Sequence, residues 1–138
     1  FVSSPLGRTR QTMEIVRAEL GLPREDYKLE PRIIEIDFGD WEGQTIAELG
    51  VNRAHEVQQR ASDKWNYIPA GGENYAIVHD RVVGWLNTVQ RRSVVSCHGG
   101  ILRSLMHHLG GLSQKEASIV NIPQDRIFRV DGTQAAWL

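Results

Sequence analysis

The run Ser93-Val94-Val95-Ser96-Cys97-His98-Gly99-Gly100 constrains this chain more than any other segment. Its β-branched start reads as a compact buried strand, and the apolar period of Ile101 to Leu109 reads as a helix. Only His98 and two glycines separate them. In open α/β sheets, ligands collect at the carboxyl ends of strands, where a helix N-terminus offers free N–H groups and the positive end of its dipole. Glycines allow close approach of the backbone to a ligand. An imidazole at such an edge suits an anion, phosphate above all. The plainer reading is a turn histidine whose ring caps the helix.

The rest of the chain alternates in the same way. Val2 to Ser4 resembles a strand end, and Ser4-Pro5-Leu6-Gly7 turns it into a helix with Met13, Val16 and Leu20 on one face, stopped at Gly21 and Pro23. Tyr27 to Glu30 is a short extended piece, and Ile33-Ile34-Glu35 leads into a loop from Ile36 to Gly43. Thr45 to Leu49 reads as a short helix, Asn52 to Trp65 as a polar one, and Glu73 to Arg91 as a long one striped with Tyr75, Val78, Val82, Trp85, Leu86 and Val89. Ser118 to Asn121 and Arg126 to Val130 are expected as two short strands. The pattern indicates an α/β fold with a mainly parallel sheet, as one domain over residues 1–138.

Composition narrows the function classes. With 16 basic and 17 acidic residues, the chain is not built to neutralise many nucleic-acid phosphates. No apolar run approaches the roughly 18 to 20 residues of a membrane span. One cysteine, Cys97, excludes a disulfide framework and any multi-cysteine metal site, which makes a reducing, cytoplasmic compartment the default. The first methionine is Met13, and the apolar start runs directly into structure. Residues upstream of Phe1 are therefore expected.

Two further segments could carry chemistry. Arg8 lies in the first turn of a helix, where a cation is unfavourable unless an anion sits beside it; Arg10 reads as a solvated surface residue. Glu35, just past an apolar pair, suits a general acid, with Asp37, Asp40 and Glu42 as competitors.

Taken together, these pieces resemble the histidine phosphatase superfamily, the phosphoglycerate mutase-like group. Ser4 to Thr12 matches its Ser-Pro-Leu-x-Arg stretch, placing a phosphate-binding arginine at Arg8. Glu35 to Gly43 matches the Glu-x-x-Phe-Gly-x-Trp-Glu-Gly stretch that supplies the acid/base. Cys97-His98-Gly99-Gly100 corresponds to Ser-His-Gly-Gly, and Pro69 to Asn74 to the Pro-x-Gly-Glu element before a long helix. The resemblance implies a three-layer sandwich and a phosphomonoester hydrolase acting on a small phosphorylated metabolite through a phosphohistidine. Arg8, His98 and Gly99 would bind the phosphoryl group, and Glu35 would serve as acid and then base. Neither metal nor other cofactor is implied, inorganic phosphate would be the product, and nucleic acid and membrane are not expected partners. A homodimer is compatible with all this.

One departure is large. The family's Arg-His-Gly segment, which bears the nucleophile, is absent from these 138 residues. In the family it precedes the Ser-Pro-Leu stretch, so it is expected upstream of Phe1. A chain that truly lacked it would suit a non-catalytic phospho-ligand-binding module. Mutase-type phosphoryl transfer is the other alternative, although the short span between Glu35 and His98 resembles the compact phosphatases more. Selectivity for the leaving alcohol is expected in the polar 44–72 segment.

Other candidates have simpler roles. Cys97 and His98 should point to opposite faces of a strand, which leaves Cys97 structural. His107 and His108 are expected near a helix end without a third metal ligand, and His55 and His79 in solvent. Trp65, Trp85 and Trp137 read as core or partly buried anchors, and Trp41 as either core or pocket lining.

Overall fold

The computed structural model describes residues 1–132 and 134–138. A parallel sheet lies at its centre, in the order β2 (Lys28–Leu29), β1 (Val2–Ser3), β3 (Val95–Ser96). Val2 pairs with both Lys28 and Val95, which brings segments remote in sequence to one sheet edge. Helices flank the sheet. The first, α1 (Gly7–Glu19), packs on β1 and β3. Elsewhere α4 (Tyr75–Leu86) packs on α5 (Gly99–Gly110) and on the 3-10 turn Pro31–Ile33. Between them come α2 (Ile46–Asn52) and α3 (Ala54–Ser62), and after α5 follow α6 (Gln114–Ile119) and an antiparallel hairpin of β4 (Phe128–Asp131) and β5 (Gln134–Trp137).

The core is built from Ile33, Ile36, Trp65, Tyr75, Val78, Val82, Trp85, Ile101 and Leu105. Four of these are the expected α4 stripe. That helix stops at Leu86 rather than Arg91: the backbone tightens into three-residue turns, Thr88 N–H to the Trp85 carbonyl at 2.8 Å and Val89 N–H to the Leu86 carbonyl at 3.0 Å, and Val89 is left exposed. The α1 face differs as well: Leu20 is 59% exposed and Arg17 is buried in its place. Arg17 satisfies its guanidinium on the Pro23 carbonyl at 2.6 Å and stacks over the Phe1 ring.

Two expectations are corrected. The segment 93–97 is not a buried strand, since β3 lies at the edge of the sheet and leaves Val94 47% and Val95 36% exposed. Ser118 to Asn121 is not a strand either. Ser113 and Glu116 form a reciprocal capping box that starts α6, and this helix runs through Ser118 to Ile119. Trp137 is only partly buried, on the hairpin against Phe128. Among the described residues, no helix is long and apolar enough to cross a membrane.

Candidate active site

Three strand-to-helix or strand-to-loop junctions meet at the carboxyl edge of the sheet. After β1, Ser4 and Pro5 lead into α1, whose second residue is Arg8. Arg8 is exposed, and no acidic residue accompanies it in that turn. After β3, His98 takes extended backbone geometry as the residue before α5. Its ring does not cap the helix. Instead Nε2 meets Ser4 Oγ at 2.7 Å, with the imidazole only 6% exposed. Burial first, then the positive charges of Arg8 and Arg81, pushes its pKa down from 6.5 to about 4.

Glu35 reaches this edge from the third junction. Its Oε1 accepts the N–H of Gly100 at 3.1 Å and its own neighbour's, Ile36, at 3.0 Å; Oε2 takes Gly100 at 3.3 Å. The helix N-terminus of α5 thus holds the Glu35 carboxyl. A Cβ at residue 100 would run into that carboxyl, so the carboxyl keeps this position only opposite glycine. The competing acids have other occupations or positions. Asp37 Oδ1 accepts Gly39 N–H at 2.7 Å, Glu42 Oε1 accepts Phe38 N–H at 3.0 Å, and Asp40 is exposed.

The loop 36–43 is laid against the Pro69–Gly72 turn so closely that only glycine fits. A Cβ on Gly39 or Gly72 would strike the facing backbone, and Gly39 also has φ of 53°. Asp40 N–H donates to the Ala70 carbonyl at 2.9 Å across this seam. A cavity of about 760 Å³ opens above it, lined by Leu6, Arg8, Glu35, Phe38 and Glu73 among others. Arg8 and Glu35 therefore share one cavity. His98 and Gly99 lie beside it, joined to it through Ser4 and through the Gly100–Glu35 bond, and do not line it.

Residues that sequence reasoning left without a role stand nearby. Arg60 on α3 stacks over the Phe38 ring at 5.2 Å. Burial lowers the pKa of both Arg60 and Lys64, helped by Arg103 on α5 and, for Lys64, by Arg60. Arg103 lies against Gly99, since a Cβ on Gly99 would come within 3.3 Å of its Nη1. Burial raises the Tyr75 hydroxyl, which Arg103 and Arg60 partly oppose. Three cations, Arg60 on α3, Lys64 just beyond that helix and Arg103 on α5, thus lie within reach of one another's charge, and Arg60 meets the cavity wall at Phe38. Arg60 and Lys64, four residues apart in the sequence, were the available signal.

The remaining candidates resolve simply. Burial pushes the Cys97 thiol up to about 12, as for an inert core group. Trp41 is 3% exposed, packs on Tyr67 and donates Nε1–H to Glu56, so it supports the loop from beneath. His79 is not solvated as expected: it is partly buried among Trp65, His107 and His108. Among the described residues no three acidic, histidine or cysteine side chains form a metal-binding group.

Comparison with known proteins gives the family and the fold. The family model for the histidine phosphatase superfamily (branch 1) matches residues 1–138. The chain belongs to that superfamily. Phosphoserine phosphatase 1 of Hydrogenobacter thermophilus is 37% identical over 92 residues, covering 65% of this chain and 41% of that protein. The chain thus spans less than half the length of this relative. Among solved structures, the alpha-ribazole phosphatase of Shigella flexneri shares the fold with a TM-score of 0.76 at 23% identity, over 99% of this chain and 70% of that one. The complex of mycobacterial glucosyl-3-phosphoglycerate phosphatase with inorganic phosphate has a TM-score of 0.70 at 25% identity, over 88% of this chain and 63% of that one.

Proposed function

We propose that this chain supplies the phosphoryl-binding and proton-transfer part of a phosphomonoester hydrolase acting on a small phosphorylated metabolite. The observation that carries the reading is the placement of Arg8 and Glu35 in one cavity, with the Glu35 carboxyl hydrogen-bonded to the turn that follows His98. Phosphoryl transfer needs in-line positioning and charge neutralisation at the equatorial oxygens. Arg8 provides a planar fork of donors for those oxygens. His98 and the N–H of Gly99 at the start of α5 add donors on a second side. Oε1 of Glu35 holds the nearer amide bonds, which leaves Oε2 the freer oxygen to exchange a proton with the substrate. Glu35 gives that proton to the leaving alkoxide, then removes one from the water that cleaves the phosphohistidine.

The nucleophile in this reading is a histidine outside these 138 residues, on an Arg-His-Gly strand that adds to β3. The support for this is that β3 closes the sheet among the described residues, with Val94 and Val95 exposed, since an unpaired edge strand is a template for another strand. Arg60, Lys64 and Arg103 favour a substrate carrying negative charge beyond the transferred group. The single inert cysteine suits a reducing, cytoplasmic setting.

Turnover tests the proposal. The full-length protein should release phosphate from phosphomonoesters, and Arg8→Ala and His98→Ala should each slow release by about 10²-fold. Undiminished rates in both variants would overturn the site.

A further inference from the structure

Arg81 on α4 lies behind the segment that carries Glu35, and each of its three side-chain nitrogens donates a hydrogen bond. Nε and Nη2 donate to the two carboxylate oxygens of Glu73, each at 2.9 Å. Nη1 donates to the Arg32 carbonyl at 2.7 Å, and Nη2 also reaches the carbonyl of Glu35 at 3.4 Å. Glu73 then accepts the N–H of Asp37 at 3.1 Å and returns its own N–H to the Asp37 carbonyl at 2.7 Å. The two side chains are 18% and 22% exposed, so solvent only partly screens this two-pronged pair. Glu35 is therefore fixed from behind at residues 32, 35 and 37, while its carboxyl faces Gly100 in front.

We propose that the Arg81–Glu73 pair is a positioning device that sets where the Glu35 carboxyl meets the substrate. The inference rests on reading Glu35 as the proton donor. Arg81 spreads its donors over four acceptor oxygens on three residues, and a lysine ammonium at the end of a flexible stem cannot reproduce that fork. Displacing a catalytic group by about 1 Å can cost about 10²-fold in rate.

Arg81→Lys and Glu73→Gln test this with two readouts. The first compares an alkyl phosphate, whose alkoxide needs a proton to leave, with p-nitrophenyl phosphate, whose phenolate does not. Both variants, like Glu35→Gln, should lose at least about tenfold more kcat on the alkyl ester than on the aryl ester. A merely structural defect would lower both alike, and equal losses would overturn the proposal. The second readout needs no turnover. The amide proton of Gly100 in the NMR spectrum should move in both variants toward its position in Glu35→Ala, while the α1 amides stay in place. An unmoved Gly100 resonance in either folded variant overturns the proposal, and Glu73→Gln is read alone where Arg81→Lys does not fold. Failure of the phosphatase reading looks different: the wild type cleaves neither ester, yet the Gly100 shift still follows Arg81 and supports its positioning of Glu35.

Discussion

The Glu35 carboxyl accepts the backbone N–H of Gly100 at 3.1 Å, joining residues 65 positions apart in the chain. Through this bond the acid loop and the strand-to-helix turn of His98 become one site. Its geometry depends on a missing side chain: residue 100 can have no Cβ without moving the acid.

Gly100→Ala is accordingly expected to act on catalysis more than on folding. The new methyl group meets the Glu35 carboxyl first, the far end of a flexible side chain, and then Ile36 Cγ2 at 3.3 Å. Alanine is a better helix former than glycine by up to about 1 kcal/mol, which offsets the crowding. We expect kcat on alkyl phosphates to drop about 10²-fold with Tm changed by only a few degrees. Steady-state kinetics beside a thermal melt checks this, and a wild-type kcat would contradict it.

Arg8→Ala should weaken binding of phosphate or vanadate by about 1.5–3 kcal/mol, the range of a charged hydrogen bond. Arg8 is exposed, so the fold should be unaffected. Titration calorimetry together with a urea melt separates the two effects. Equal anion affinity in the variant would remove Arg8 from the site.

The imidazole of His98, held down at about 4, is neutral in the free site near neutral pH. A bound dianion favours the imidazolium, so binding should take up a proton. Sulfate keeps its charge throughout this range, and its affinity should rise as pH falls from about 7 to about 5, a gain lost in His98→Ala. A flat profile in the wild type would contradict the placement. The same depression makes stability pH-dependent. The unfolded histidine binds its proton near 6.5 and the folded one near 4, so the contribution is present above the first value and is lost as pH falls toward the second.

Glu30, 3% exposed, receives Arg32 through Nε at 2.8 Å and Nη2 at 2.9 Å. The Arg32 hydrogen bond holds its carboxyl down at about 2, against burial that opposes the charge. Since Arg32 is partly open to solvent, Glu30→Gln should cost about 1–2 kcal/mol at neutral pH. That difference belongs to the carboxylate, so it is complete above 4.5 and fades as pH falls through about 2. Urea denaturation at neutral and acid pH reads it, and a cost independent of pH would contradict the ion-pair account.

Much of the candidate site was legible because its residues sit at fixed local spacings. Arg8 follows the turn out of β1, Glu35 follows an apolar pair, and His98 follows β3 and opens a glycine turn, and short-range pattern records that. The α4 stripe was legible for the same reason, as one face of a single helix. What escaped was non-local. Arg17 is buried and Leu20 exposed because the Pro23 carbonyl folds back over the helix end, which no periodicity of α1 encodes. The exposure of Val94 and Val95 depends on sheet order, set by β1 pairing on both sides. Arg103 and Arg81 look like ordinary helix arginines until packing brings one to Gly99 and the other to the Glu35 carbonyl. The α6 capping box, Ser113 with Glu116, is present in the sequence, but the helix it starts is only six residues long and ends at the β-branched Ile119.

The most direct measurement is a crystal structure of the protein soaked with orthovanadate, which mimics the phosphoryl group in flight. The account predicts vanadate held by the Arg8 guanidinium, the His98 imidazole and the Gly99 N–H, with the Glu35 carboxyl at the apical oxygen. Vanadate bound elsewhere, or an empty site at saturating vanadate, would contradict it.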